Sequence, residues 1–270
     1  MTLSRGARTL LALCTGLVLV AVYVPLVLVV TNSFNTSTTF TWPPDGFTSR
    51  WWEAAWRSSG AREALVLSLQ VASVATAISL VLGTMAALAL QRHRFFGRDT
   101  VSLLIILPIA LPGVVTGIAL KNAFTTVLGI DLGLLTIVVA HATFCIVTVF
   151  NNVIARLRRA GGNLEEASMD LGAGTFTTFR LITFPVLRSA LLAGGLLSFA
   201  LSFDEIIVTT FTAGQGRTTL PIWILENMFR PNQAPVVNVV AAVLILLSVV
   251  PIWFAQRLSQ DDDPPAAAAP

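Results

Sequence analysis

Charge is what this sequence has least of. Acidic and basic residues make up 11% of the chain and hydrophobic residues 55%, against roughly 25% and 45–50% in soluble proteins. So few charges cannot cover a water-facing surface, which excludes an ordinary soluble domain. Lysine occurs once, as Lys121 between Leu120 and Asn122. A phosphate-cradling loop needs G-x-x-x-x-G-K-[ST], so the chain carries no nucleotide site of that kind. Cys14 and Cys145 are the only cysteines, and both sit in apolar runs. That placement argues against a disulfide, and the two offer no metal-ligand spacing. The two histidines are His93, in a loop, and His141, inside an apolar run. No hydrolytic group forms around either, and His141 reads as a hydrogen-bonded packing residue. No catalytic residue, metal ligand set or bound cofactor is assigned, nor any nucleic-acid partner; the chain reads as not an enzyme.

What is present is a series of long apolar runs. Six segments, near 10–31, 63–90, 101–122, 133–155, 190–212 and 236–256, can each span a hydrocarbon core, which takes about 20 helical residues. In lipid every backbone group must be satisfied internally, so long runs mean an all-α bundle. Arg5 and Arg8 precede the first run, but its stretch from Leu10 to Val30 exceeds the roughly 7–15 residues of a signal-peptide core. It reads as an uncleaved anchor.

Arginine placement orients the bundle. With the N-terminus inside, the inner segments hold Arg5, Arg8, Arg92, Arg94, Arg98, Arg156, Arg158, Arg159, Arg180, Arg188 and Arg257. The outer segments hold Arg50, Arg57, Arg62, Lys121, Arg217 and Arg230. Eleven against six is the bias of the positive-inside rule, and both termini are expected in the cytoplasm. Three parts follow: 1–62, an anchor helix with an external Trp-rich loop; 63–256, the transmembrane domain; and 257–270, a tail whose acidic, Pro/Ala-rich end from Asp261 reads as disordered. In the external loop Trp42, Trp51, Trp52 and Trp56 suit a membrane interface or a docking surface.

The long cytoplasmic connection, 156–189, needs a reason for its length. It reads as two short amphipathic helices around a glycine turn. Asn163 can cap the first with Glu166, and Glu165, Glu166 and Asp170 follow. Leu164, Ala167 and Leu171 share a face. Gly172 and Gly174 supply the turn; Phe176, Phe179 and Ile182 lie on the second helix, with both phenylalanines expected to be buried, and Pro185 is expected to end it. Such an element can dock another protein or pack as a lid on its own bundle.

Glu166-Ala167-Ser168, then Gly172, Ile182 and Phe184-Pro185, resemble the cytoplasmic motif of bacterial ABC importer permeases. That motif reads E-A-A, three residues, G, nine residues, I, one residue, L-P. The spacing agrees throughout; Ser168 replaces the second alanine and Phe184 the leucine. Asp170-Leu171-Gly172-Ala173 also fits the family's preference. The resemblance implies a MetI-like type I ABC importer permease fold with about six transmembrane helices. It implies that Glu166, Ala167, Ser168, Asp170, Gly172, Ala173, Phe176, Phe179, Ile182 and Pro185 form a coupling helix seated on a separate ATPase. The implied partners are two ATPase subunits carrying ATP-Mg, a second permease subunit in a hetero- or homodimer, and an external solute-binding protein. The implied location is the bacterial cytoplasmic membrane.

Asp204 and Glu205 interrupt the apolar run of the fifth segment. A carboxylate at membrane depth costs roughly 2.5–3.5 kcal/mol, so it faces a cavity or a partner. Neighbouring helical residues point about 100° apart, so one acid can meet a cation while the other pairs structurally. Both can equally stabilise the fold or face the companion subunit. The run Ser202-Phe203-Asp204-Glu205, the stretch Thr209 to Gly214 and Thr219-Leu220-Pro221 are similar to spermidine/putrescine-type permeases, as are Pro108, Pro112, Gly113 and Gly117. The resemblance extends to permeases for ferric iron, phosphonate-type and opine-like substrates. It implies import of a polyamine or another small cationic solute. An ion-gradient-driven secondary transporter using the two acids is the alternative, although the chain shows no internal repeat. A structural membrane protein would explain neither the motif nor the acids.

Overall fold

The computed structural model describes residues 4–39, 42–93, 95–160 and 163–260. Arg94 and the tail from Asp261 lie outside the described residues. In chain order the helices are α1 Arg5–Asn32, α2 Arg50–Arg57, α3 Ser59–Arg92, α4 Arg98–Ala110 and α5 Gly113–Asn122. They continue with α6 Leu134–Ala160, α7 Asn163–Asp170, α8 Thr175–Thr178, α9 Phe184–Phe203, α10 Ile207–Thr212, α11 Leu220–Asn227 and α12 Ala234–Gln260. Two π turns, Ala123–Val127 and Phe179–Thr183, extend α5 and join α8 to α9. Among the described residues the only β pairing is the isolated bridge between Asn35 and Phe47.

Four helical stretches are long and apolar enough to cross a membrane: α1, α3, α6 and the run Thr175–Phe203. The bent pair α4–α5 makes a fifth if it is one span, and α12 contributes a shorter apolar stretch, Ala234–Ser248. The all-helical expectation therefore holds, with two corrections. The third span is not one helix but is broken at Leu111-Pro112, where the chain turns by 107°. Leu111 takes an extended conformation (ψ 144°) because the ring of Pro112 disfavours helical geometry at the residue before it. The fifth span stops at Phe203 and restarts at Ile207, so Asp204 and Glu205 lie in a gap rather than on a helix face.

The chain forms two compact units. In the first, residues 1–62 and 224–270, α12 packs against α1 and α2. The loop before α2 is tied to that helix: the Trp51 indole N–H donates to the Asn35 carbonyl (2.8 Å), and Trp52 stacks on Phe34. Trp42 and Trp56 are exposed instead.

The second unit, residues 63–223, is built on α6. In its most apolar window 61% of α6 is buried, against 28% for α3. Val149, Phe150, Val153, Ile154 and Leu157 of α6 form a core with Ala87, Leu90 and Leu187. Small residues let the backbones close in, as expected where lipid supplies no hydrophobic drive between helices. A Cβ on Gly83 would lie 2.9 Å from the Ile146 carbonyl oxygen, and one on Gly194 would lie 3.3 Å from the Val149 Cα. Gly83→Leu is therefore expected to destabilise the second unit by about 1–3 kcal/mol through overpacking. Gly16→Leu, where a side chain meets open space, should leave thermal unfolding in detergent unchanged. Equal melting temperatures for the two variants would contradict this packing.

Candidate functional site

Two regions carry the polar residues that an apolar bundle has no structural reason to keep. The first is the loop between α6 and α9. Helix α7 ends in a Schellman turn: the Ala173 N–H donates to the Ser168 carbonyl (3.1 Å) and the Gly172 N–H to the Met169 carbonyl (2.9 Å). Gly172 has φ +83°, with nothing within 4 Å of where a Cβ would be. It is required for its backbone conformation, not for space. Gly174 (φ −70°) begins α8 in an ordinary conformation. The two arms are joined by a hydroxyl contact between Ser168 and Thr178 (3.1 Å).

Three readings of this loop change. Asn163 is the first residue of α7, and its side chain lies outside the described residues, so no capping role is assigned. Phe176 is 75% exposed rather than buried, while Phe179 is half-buried and tilted against Phe184. Pro185 does not end the second helix. The π turn makes the Phe184 N–H bond back to the Phe179 carbonyl, a wider register that accommodates a residue with no N–H, and the helix runs on into α9. Leu164, Met169, Leu171, Phe176 and Leu181 are all exposed, so the apolar face is not a lid packed on its own bundle. Of the motif residues, Glu166, Ala167 and Asp170 are exposed; Ser168, Ala173 and Ile182 are half-buried.

The loop is tied to the bundle at a polar node absent from the sequence reading. Arg92, the last residue of α3, donates through Nη2 to Glu165 Oε1 (2.7 Å) and to Thr183 Oγ1 (3.2 Å). The Thr183 hydroxyl donates to the same carboxylate oxygen. Burial by itself would raise the Glu165 carboxyl, but hydrogen bonds from Arg92 and Thr183 and the arginine's charge hold it below the usual carboxylate range.

The second region is the α9–α10 gap. Glu205 Oε1 accepts the Val208 N–H (2.9 Å) and so caps α10, competing with helix continuation. Asp204, at the end of α9, is exposed. His141 is fully buried, with Nδ1 2.7 Å from the Ser202 hydroxyl and Nε2 2.8 Å from the Thr209 hydroxyl. It therefore clamps both sides of the gap to α6. Thr136 donates to the Thr212 carbonyl (2.7 Å) at the far end of α10. The broken third span meets the broken fifth: a Cβ on Gly117 would lie 2.6 Å from a ring carbon of Phe211, and one on Gly113 3.5 Å from Ile207. Among the described residues no cluster of His, Cys, Asp and Glu could hold a metal.

Residues 79–261 match the family described as binding-protein-dependent transport system inner membrane component. The chain belongs to this family. It is 36% identical over 230 residues to the putrescine transport system permease protein PotI of Escherichia coli K12, covering 83% of this chain and 81% of that one. It is 34% identical over 240 residues to the spermidine/putrescine transport system permease protein PotC of the same organism, covering 88% and 89%. The putative 2-aminoethylphosphonate transport system permease protein PhnV of Salmonella typhimurium is 30% identical over 80% of this chain and 83% of its own. Among solved structures, a bacterial ABC transporter involved in import of the acidic polysaccharide alginate superposes with a TM-score of 0.71 at 14% identity, over 98% of this chain and 100% of that one. The inward-facing MetNI methionine ABC transporter gives 0.60 at 15% identity, over 81% and 100%. These likenesses establish the MetI-like importer-permease fold. The chain is a permease subunit of an ABC importer, a multi-pass inner membrane component with a transport rather than a catalytic role.

The Arg92–Glu165 pair makes stability pH-dependent with a definite sign. A carboxyl whose pKa is lowered by folding stabilises the fold above its unfolded value and ceases to as pH falls through its folded value. Wild type should exceed Glu165→Gln by about 1 kcal/mol at neutral pH, as for a partly exposed pair. Thermal unfolding should show that gap start to close below about pH 4.3 and vanish below the lowered folded value. A gap independent of pH would mean that the carboxylate's charge is not what Arg92 holds.

Proposed function

We propose that this chain forms half of the pore of a polyamine importer and takes its drive from a separate ATPase through the loop from Asn163 to Pro185. The observation that carries the reading is the exposed apolar crest on that loop. Leu164, Leu171, Phe176 and Leu181 stand out beside a Schellman-capped helix, a surface suited to a partner's groove. Membership of a family of binding-protein-dependent transport components supports the remaining assembly: ATPase subunits holding ATP-Mg, a second permease subunit and an external binding protein. The loop then faces the cytoplasm together with both termini, in keeping with the arginine bias. Residues 63–256 are the working permease domain, behind an N-terminal anchor and external loop.

Two lines support a polyamine as solute. PotI and PotC carry polyamines in their names, and this chain keeps an acidic pair at a helix break inside the bundle. The two acids divide the work. Glu205 caps α10 and holds the break open; Asp204, exposed at the end of α9, presents its carboxylate to a passing ammonium group. Carbonyls at the end of a helix add negative potential at the same place.

Leu171→Asp and Phe176→Asp should leave the chain inserted but weaken co-purification of the ATPase by about tenfold, ~1.4 kcal/mol. Gly172→Val places a β-branched residue at positive φ, costing about 1–2 kcal/mol locally, and should act like the aspartate variants. Normal transport by Gly172→Val would remove the loop from the drive. Radiolabelled putrescine uptake tests the path: Asp204→Asn should lower it severalfold more than Asp204→Glu. Unchanged uptake in both Asp204→Asn and Glu205→Gln would sink the cation path.

A further inference from the structure

The two neighbouring glutamates of α7 border one recess but differ in burial and partners. Glu166, the motif residue, is exposed and free to meet a docked protein, whereas Glu165 turns inward with only 21% of its side chain exposed. The oxygen of Glu165 gathers three elements at one point: the end of α3 through Arg92, the start of α7 through Glu165 itself, and the π turn leading into α9 through Thr183. Thr183 is 2% exposed. The ion pair of Arg57 with Glu53 lies within one short helix, whereas Arg92–Glu165 joins separate elements.

The surroundings give this node its significance. A recess of about 480 Å³, lined in part by Gln91, Arg92, His93, Glu165, Glu166 and Met169, flanks it. Helix α7 is therefore not wedged against α3 by packed side chains. Apolar contacts resist compression but part easily under tension, whereas a charge-assisted hydrogen bond is directional and holds against pull and twist. A loop that must be drawn in both directions during a cycle needs such a fastening.

We propose that the Arg92–Glu165–Thr183 node is the joint that carries motion of the docked loop into α3 and α9, making Arg92 and Glu165 positioning residues for coupling. This deepens the reading under Proposed function and rests on it. With the joint intact, displacement of α7 moves the ends of both spans together. With it cut, α7 remains seated on the ATPase but swings into the recess, and the helix break at Asp204 no longer responds to nucleotide.

The test uses the full complex, this chain co-expressed with its ATPase, companion permease and binding protein, carrying Cys14→Ala and a reporter cysteine, Asp204→Cys. Labelling by a maleimide is compared without nucleotide and after trapping with ATP and vanadate, so the readout does not depend on knowing the solute. Nucleotide should change the labelling rate about fivefold or more, the scale of ordinary coupling between sites. Adding Glu165→Gln or Arg92→Gln should abolish most of that change while ATPase retention and ATP hydrolysis stay near wild type. Reversing the pair, Arg92→Glu with Glu165→Arg, should restore at least part of it. A full nucleotide response in Glu165→Gln and Arg92→Gln overturns the joint, and so does loss of ATPase retention in both, which would place the pair in docking. A parent complex that never retains an ATPase refutes the docking reading itself, a distinguishable outcome.

Discussion

Unpaired backbone groups inside an apolar bundle are the constraint that organises this protein. A continuous helix satisfies its own N–H and C=O groups; a broken one leaves several exposed at each new end, and lipid offers them nothing. The chain breaks two helices, at Leu111-Pro112 and at Asp204–Ile206. At the second break it meets freed groups and anchors the loose ends with its own polar side chains. Glu205 takes the Val208 N–H, and Thr136 takes the Thr212 carbonyl. His141, the single buried imidazole, fixes the hydroxyls of Ser202 and Thr209 on either side of the gap. Thr136, His141, Ser202, Thr209 and Thr212, all buried, can be understood as the cost of keeping the second break in place.

The breaks in turn explain the glycines. Gly113 and Gly117 bring the short helix α5 against α10, so the two interrupted segments support one another. Gly83 and Gly194 bring α3 and α9 onto Val149 of α6, which gives the breaks a rigid backing. A moving pore needs both: a close-packed frame, and a place within it where the helical hydrogen-bond ladder is already open and can shift at low cost.

The loop between α6 and α9 obeys the opposite rule. There water can satisfy the backbone, so exposed apolar side chains, rather than buried polar ones, are the anomaly that marks function. Leu171 and Phe176 stand in solvent beside a turn that Gly172 alone makes comfortable. Glu165, meanwhile, is withdrawn into an ion pair with the end of α3. One short helix thus presents its apolar crest and Glu166 outward while being fastened inward by the residue next door.

From the sequence by itself came the solvent, the helical class, the approximate segments and the family. Each rests on quantities additive along the chain: hydropathy summed over a span, charge counted per loop, and motif spacing. Residue identity also located the special positions, since Pro112, Gly172, Asp204 and Glu205 are poor choices for an uninterrupted apolar helix. Pro112 and Gly172 act through their own backbone geometry, whereas the surroundings of the acidic residues depend on how the chain packs. Nothing local distinguishes Glu165 from Glu166, and the local bond from Val208 to Glu205 forms only because the helix is already broken there. The partners that decide these matters, Arg92, Thr183, His141 and Thr209, come from other elements or from across a helix break. Burial of Phe176 and termination at Pro185 were misjudged for the same reason. Helical periodicity says which residues share a face, but only the packed chain determines whether that face meets protein, and only a π turn joining α8 to α9 lets a proline continue the helix.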